Sequence, residues 1–165
     1  MSETAPRPGE IALPFDPAAI ATNAGLVFIG RIRSPWTARE QCPRSLREAR
    51  ERGGGASVEI DAPWRPGLAG LEGCSHVILI YWMDQARRDL IVQAPAHAAA
   101  PRGVFSLRSP VRPNPIALAV VKLLGVDQAA GRLSVDAIDC LDGTPLLDIK
   151  PYIAAIDAYP EARRP

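Results

Sequence analysis

Apolar residues along this chain recur in short runs or at every second position, the period of strands, and stretches with helical spacing are few. Leu26–Ile32 reads as a first strand stopped by Ser34-Pro35, and Ala56–Ile60 alternates as a half-buried one. His76–Met83 is the most apolar run and predicts a strand buried on both faces, broken at Asp84-Gln85. Ile116–Leu124 and Arg132–Ile138 predict two more strands with a hairpin across Gly125–Gly131. Thr144–Ile149 is a further strand, with Leu147 and Ile149 on one face and Leu146, Asp148 and Lys150 on the other. Pro63–Gly73 is turn-rich, and residues 86–102 read as one long loop. Ser45-Leu-Arg-Glu48 matches a capping box that would open a short helix ended by Gly53–Gly55, with a mobile basic loop as the competing reading. Residues 1–24 lack any period and read as a flexible arm, which leaves 25–165 as the folded domain. The tail from Pro151 reads as a turn and then irregular chain. Many short strands with Gly/Pro turns predict a mainly-β fold, a barrel or sandwich with short helices and long loops.

Two stretches break the alternation. In Val104-Phe-Ser-Leu-Arg-Ser-Pro-Val-Arg-Pro-Asn-Pro-Ile116, Pro110, Pro113 and Pro115 fix φ and remove backbone donors. A regular helix or central strand cannot continue through it, and Arg112 and Asn114, each before a proline, are pushed toward extended backbone. The result is a stiff loop presenting Arg108, Ser109, Arg112 and Asn114, suited to holding a small ligand. Arg108 stands where an exposed guanidinium can clamp a carboxylate or phosphate. The second stretch, Asp139-Cys-Leu-Asp-Gly-Thr-Pro-Leu-Leu-Asp-Ile-Lys-Pro-Tyr152, carries an Asp142-Gly143 turn signal. Asp148 and Lys150 form a structural ion pair or orient a ligand.

The composition narrows the classes. The net charge of +1, with 22% charged residues, does not mark a globally basic nucleic-acid binder. Locally the picture differs: seven arginines lie between Arg31 and Arg52 against Glu40, Glu48 and Glu51. Lys122 and Lys150 are the only lysines, and the arginine bias suits bidentate contacts or follows from genome composition alone. Cys42, Cys74 and Cys140 are odd in number and widely separated, which argues against a disulfide framework or a zinc site and fits a reducing cytosol. His76 and His97 are too few for a histidine-rich metal site; no metal is expected. There is no phosphate-loop or dinucleotide fingerprint, since Gly67, Gly70 and Gly73 have the wrong spacing. Neither a signal peptide nor a membrane-length apolar run is seen, so a cytoplasmic protein is expected.

Taken together, the two proline-interrupted stretches resemble the TrmO family, also called TsaA-like or YaeB-like. Gly30-x-Ile-x-Ser-Pro35, Pro43-Arg44 and Gly70-Leu-Glu-Gly-x-Ser-His76 add to the likeness, which covers roughly residues 25–160. The resemblance implies a small single-domain β-barrel that binds S-adenosyl-L-methionine. It implies N6-methylation of N6-threonylcarbamoyladenosine beside the anticodon of threonine tRNA, by a homodimer with cofactor near the subunit interface. By position, the implied cofactor contacts are Pro43-Arg44-Ser45, Asp84-Gln85, Arg108, Leu118 and the turn Asp142-Gly143-Thr144-Pro145-Leu146-Leu147. Asp84, Asp148, Lys150 and Tyr152 are the candidates for handling the acceptor's proton or holding the substrate. The Arg31–Arg52 cluster and Arg87-Arg88 are the expected tRNA phosphate contacts, with a solvated basic face as the alternative. Three departures accompany the likeness: Asp84-Gln85 where some relatives have His-Gln, Ala117 where relatives often have Gly, and an added C-terminal domain in some relatives. A cofactor-binding protein with another methyl acceptor, or a non-catalytic sensor, remains as the alternative.

Overall fold

The computed structural model describes residues 5–19, 25–96 and 98–163. His97 and residues 1–4 and 20–24 of the N-terminal arm lie outside the described residues. In chain order the elements are β1 (Ile11–Ala12), β2 (Gly30–Arg33), α1 (Leu46–Glu51), β3 (Ala56–Ile60), β4 (His76–Trp82), β5 (Leu90–Gln93), β6 (Arg102–Gly103), β7 (Ile116–Asp127), β8 (Arg132–Val135), β9 (Pro145–Pro151) and α2 (Ala154–Asp157). Tight 3-10 turns occupy Pro17–Ala19, Ala62–Leu68, Leu71–Gly73 and Val104–Ser106. Contacts gather the chain into two units, Val27–Tyr81 with Leu118–Pro165, and Met1–Leu26 with Trp82–Ala117.

The first unit is built on a closed barrel in the order β2-β3-β8-β7-β4-β9, so the mainly-β barrel expected from the sequence is borne out. Its strands alternate. Ile32, Val58, Ile60, Val77, Leu79, Tyr81, Val121, Leu133, Val135 and Leu146 are buried, while the residues between them face outward. β4 was expected to be buried on both faces, yet its even-numbered residues His76, Ile78, Ile80 and Trp82 are only half-buried. Its run of apolar residues serves one inward face and one partly covered outer face. β2 begins at Gly30, and Leu26, Val27 and Phe28 precede it as exposed residues rather than as strand. β8 ends at Val135, so the alternation through Ile138 continues past the ladder.

The face assignment on β9 fails at one place. Ile80 pairs with Asp148 and Tyr81 with Leu146, so Leu147 is an extra residue in a bulge. Leu146 is consequently in the core, while the Asp148 side chain remains 46% exposed.

The second unit contains a three-stranded antiparallel sheet, β1-β5-β6. Residues 86–102, expected as one loop, therefore contribute β5 and the start of β6. The Ile11–Ala12 segment of the N-terminal arm pairs with β5. Val104–Ser106, at the head of the first proline-interrupted stretch, is a 3-10 turn.

Candidate functional site

On the barrel unit, the segment from Ser34 to Gly55 is fastened along residues 136–144. Ser34 Oγ donates to the Cys140 carbonyl at 2.8 Å, and the Ser34 N–H donates to the Asp142 carboxylate at 3.1 Å. The Trp36 indole N–H donates to the Ile138 carbonyl at 2.8 Å, and Trp36 packs with buried Ala49 and Ala137. Gly54 lies flush against the indole face, where a Cβ would collide with the ring. Arg52 lies over the Trp36 ring, 4.4 Å from its centre.

The capping box forms in part. Ser45 accepts from the Glu48 N–H at 3.2 Å, while the Glu48 carboxylate reaches one residue further back, to the Arg44 N–H at 2.9 Å. The basic segment is thus a short helix rather than a loop throughout. Pro43 is buried beneath it, and Arg44 and Ser45 are exposed.

The second motif forms a tight turn against the same segment. Gly143 has φ +79°, a backbone state that other residues adopt only under strain, and its N–H donates to the Ile32 carbonyl at 2.9 Å. Thr144 is buried and its hydroxyl donates to the Leu141 carbonyl at 2.7 Å. Asp142 is an acceptor already engaged, with the Ser34 N–H and with Arg33 at 3.5 Å. Pro145 and Leu146 are buried and Leu147 is half-buried. The structure therefore brings the Pro43–Ser45 segment and the Asp142–Thr144 turn onto one assembly tied by Ser34, Trp36 and Cys42, whose thiol meets the Asp139 carbonyl at 3.3 Å. Leu118 is exposed near the start of β7.

Lys150 and Tyr152 stand apart from that turn. They lie at and just past the far end of β9, and six residue steps of extended chain separate its ends by about 20 Å. Lys150 Nζ pairs with Asp148 at 2.8 Å, and this partner raises the lysine's pKa, so Lys150 stays a cation and donates hydrogen bonds rather than accepting a proton. Tyr152 meets His76 edge-on, with ring centres 6.4 Å apart. His76, the strand-opening histidine, is also bonded to the Ser75 hydroxyl at 3.0 Å.

On the other unit, Asp84 and Gln85 form the exposed tip of a turn closed by the Ala86 N–H on the Met83 carbonyl at 3.0 Å. Arg108 is exposed, just beyond the 3-10 turn. The proline loop itself is held by side chains. Gln93, buried, donates to the Val111 carbonyl at 2.6 Å. Arg88 donates to the Pro113 carbonyl at 2.6 Å and lies over the Trp82 ring, 5.3 Å from its centre. Arg112 turns inward to the Val104 and Leu107 carbonyls, at 3.0 and 3.3 Å. Arg112 thus braces the loop that was expected to present it. Arg87 pairs with Asp89 at 2.7 Å and holds that carboxyl below its usual range, so Arg87 and Arg88 both have partners within the local structure. The sequence did not mark Gln93, and it marked Arg88 for phosphate rather than for bracing the loop, because the partners of both are carbonyls some twenty residues away with no side-chain signature.

The Arg31–Arg52 cluster is largely paired. Arg33 meets Glu59 at 2.8 Å, Arg50 meets Asp136 at 2.6 Å, Arg52 meets Glu48 at 3.4 Å and Arg47 meets Glu51 at 3.6 Å. Burial raises the thiol pKa of Cys42 and, far more strongly, of Cys140, so neither is a reactive thiolate. Among the described residues no group of three potential metal ligands occurs. Among the described residues no helix is long and apolar enough to cross a membrane.

Residues 31–158 match the family described as the tRNA-methyltransferase O N-terminal domain. The chain belongs to the TrmO family. The likeness stated from the two motifs is borne out, and the match runs through both. Among solved structures, TrmO from Pseudomonas aeruginosa superposes with a TM-score of 0.71 at 36% identity, over 89% of this chain and 62% of that one. A probable S-adenosyl-L-methionine-binding protein VirR of Rhizobium radiobacter is 44% identical over 130 residues, which is 78% of this chain and 71% of the relative. A putative S-adenosylmethionine-dependent methyltransferase RcsF of Pseudomonas aeruginosa is 42% identical over 142 residues, 82% of this chain and 59% of that protein. The chain therefore spans about three fifths of the length of the solved TrmO.

Proposed function

We propose that this protein binds S-adenosyl-L-methionine and transfers its methyl group to tRNA in the cytoplasm, as a homodimer. The acceptor in this reading is N6 of N6-threonylcarbamoyladenosine beside the anticodon of threonine tRNA. The observation that carries it is the family match across residues 31–158, which contains both proline-interrupted motifs.

The donor set fits the cofactor's chemistry. The cofactor carries a carboxylate, an ammonium group, a ribose diol and an adenine. On the barrel unit Arg44 offers a cation, Asp142 a carboxylate and Gly143 an uncovered backbone, with nothing within 4 Å of where its Cβ would be, and on the other unit Arg108 and Asp84 offer the same two charges. Pro43, Ser45, Gln85, Leu118 and Thr144 to Leu147 complete the proposed contacts. When bound, the cofactor supplies an electrophilic methyl on sulfur for in-line displacement.

The chain's own part is orientation, the dominant effect in such a transfer. Gln93, Arg88 and Arg112 hold the Arg108 loop in one shape, and the Ser34–Trp36 ties do the same for the Asp142 turn. Of the acceptor-side candidates, Asp84 and Asp148 are the carboxylates able to take a proton, whereas Lys150 and Tyr152 hold substrate.

Two measurements test the reading. Calorimetry should show the purified chain binding the cofactor. Deletion of its gene should remove the methylated threonylcarbamoyl-adenosine from bulk tRNA, and persistence of that nucleoside unchanged would overturn the assignment. Several relatives are named for cofactor binding alone, which favours a sensor as the second reading. Binding without transfer to any tRNA pool would select it.

A further inference from the structure

The outward face of β2, β3 and β8 carries an ordered array in which Arg31 and Arg33 of the basic cluster stand beside Ser57, Glu59, Arg132 and Ser134, residues that none of the roles above uses. The strand registers align Arg33, Ser57 and Ser134 in one row, and Arg31, Glu59 and Arg132 in the next. Rows two residues apart lie about 7 Å from each other. All six side chains point outward, since Ile32, Val58 and Leu133, which alternate with them, are fully buried. Glu59 divides its carboxylate, accepting from Arg33 Nε at 2.8 Å and standing 3.5 Å from Arg132 Nη2. Asp142 approaches Arg33 from one edge at 3.5 Å. The three guanidiniums still outnumber the two carboxylates, and the shared Glu59 holds two of them in place with N–H groups left over. The Ser57 and Ser134 hydroxyls have no side-chain hydrogen bond among the described residues. They open on a shallow groove of about 460 Å³ that Leu124 also lines.

We propose that this face binds the sugar–phosphate backbone of the RNA substrate, an inference that rests on the tRNA reading above. Three guanidiniums and two hydroxyls spread over two parallel rows, with Glu59 neutralised between Arg33 and Arg132, match a linear polyanion better than one isolated phosphate. Serine hydroxyls can donate to phosphate oxygens and exchange hydrogen bonds with ribose 2′-hydroxyls. An open groove with an apolar floor at Leu124 accommodates a strand passing along it, whereas a small ligand needs enclosing walls. On the helix side of the basic cluster Arg47, Arg50 and Arg52 each occupy a whole carboxylate, whereas on the strand face Arg33 and Arg132 share Glu59. Arg132, outside that cluster in sequence, enters the surface only through strand pairing.

The test is filter binding of purified bulk tRNA to the full chain across a salt series, with cofactor binding followed by calorimetry. Arg132→Gln should weaken tRNA binding roughly threefold at low salt and lower the salt slope by about one, as expected for one lost phosphate contact. Arg132→Lys should restore the slope. The Ser57→Ala/Ser134→Ala pair should weaken binding with the slope unchanged, and cofactor affinity should stay at the wild-type value in all three. Wild-type tRNA binding in both Arg132→Gln and the serine pair would overturn the proposal, as would a loss confined to Arg47→Gln. Absence of tRNA binding by the wild-type chain itself would instead bring down the tRNA reading, and this surface with it.

Discussion

The barrel unit and the unit formed by residues 5–19 and 82–117 hold their shapes by different means. The barrel closes its strand edges and buries side chains from every strand, among them Ile32, Val58, Leu79, Val121, Leu133 and Leu146. In the other unit the buried apolar side chains are few, Leu90, Val104 and Leu107 among them. Its proline loop is held instead by Gln93, Arg88 and Arg112 reaching to backbone carbonyls. Prolines explain the need. A loop that cannot join a ladder leaves carbonyls exposed to burial, and side-chain donors satisfy them. Shape in the barrel depends on apolar area, and shape in the loop depends on a handful of directional bonds.

The difference has measurable consequences. Leu79→Ala, in the fully buried barrel core, should cost about 2–5 kcal/mol of global stability in urea unfolding. A loss near zero would mean that the core is not continuous. Gln93→Ala removes the partner of the Val111 carbonyl and should cost about 1–3 kcal/mol. Its effect should appear as faster amide exchange confined to residues 104–115, with barrel amides unchanged. Equal acceleration in the barrel would show that the two regions unfold as one and would break the contrast.

The smallest effect concerns acid. Glu10, hydrogen-bonded by Arg7 and by the Ala94 N–H, has its carboxyl held down to about 2. A depressed carboxyl contributes its full share above the ordinary value near 4.5 and loses it as pH falls toward 2. NMR signals of residues 7–12 should therefore change across that window before those of the barrel. Simultaneous change in both would remove the distinction.

Legibility in the sequence follows the same division. Alternation exposed the strands of the barrel because a half-buried strand writes its burial into every second residue. The bulge at Leu147 left no such mark: one extra residue moves Leu146 and Asp148 onto different environments, and only the pairing with Ile80 and Tyr81 reveals it. β5 was hidden because Leu90-Ile-Val is short and follows Arg87-Arg88-Asp89, whose charges look like loop but pair with one another and with the backbone. At the candidate site, the Asp142-Gly143 turn was readable from residue type. The inward turn of Arg112 was not, because nothing in a sequence distinguishes a guanidinium that faces solvent from one that caps carbonyls.

Trp36 and Gly54 carry a consequence for how this surface can diversify. The chain enters the basic segment at the indole and leaves it at a glycine pressed against the same ring, so the two ends of residues 37–53 are pinned together on the barrel. What lies between those ends behaves as a cassette. The length and charge of its exposed part can be exchanged with little register penalty to the strands on either side, provided the tryptophan, the glycine and the segment's own anchors Cys42, Ala49 and Arg50 stay. Swapping this cassette between relatives should transfer its surface properties while leaving the barrel's melting behaviour in place.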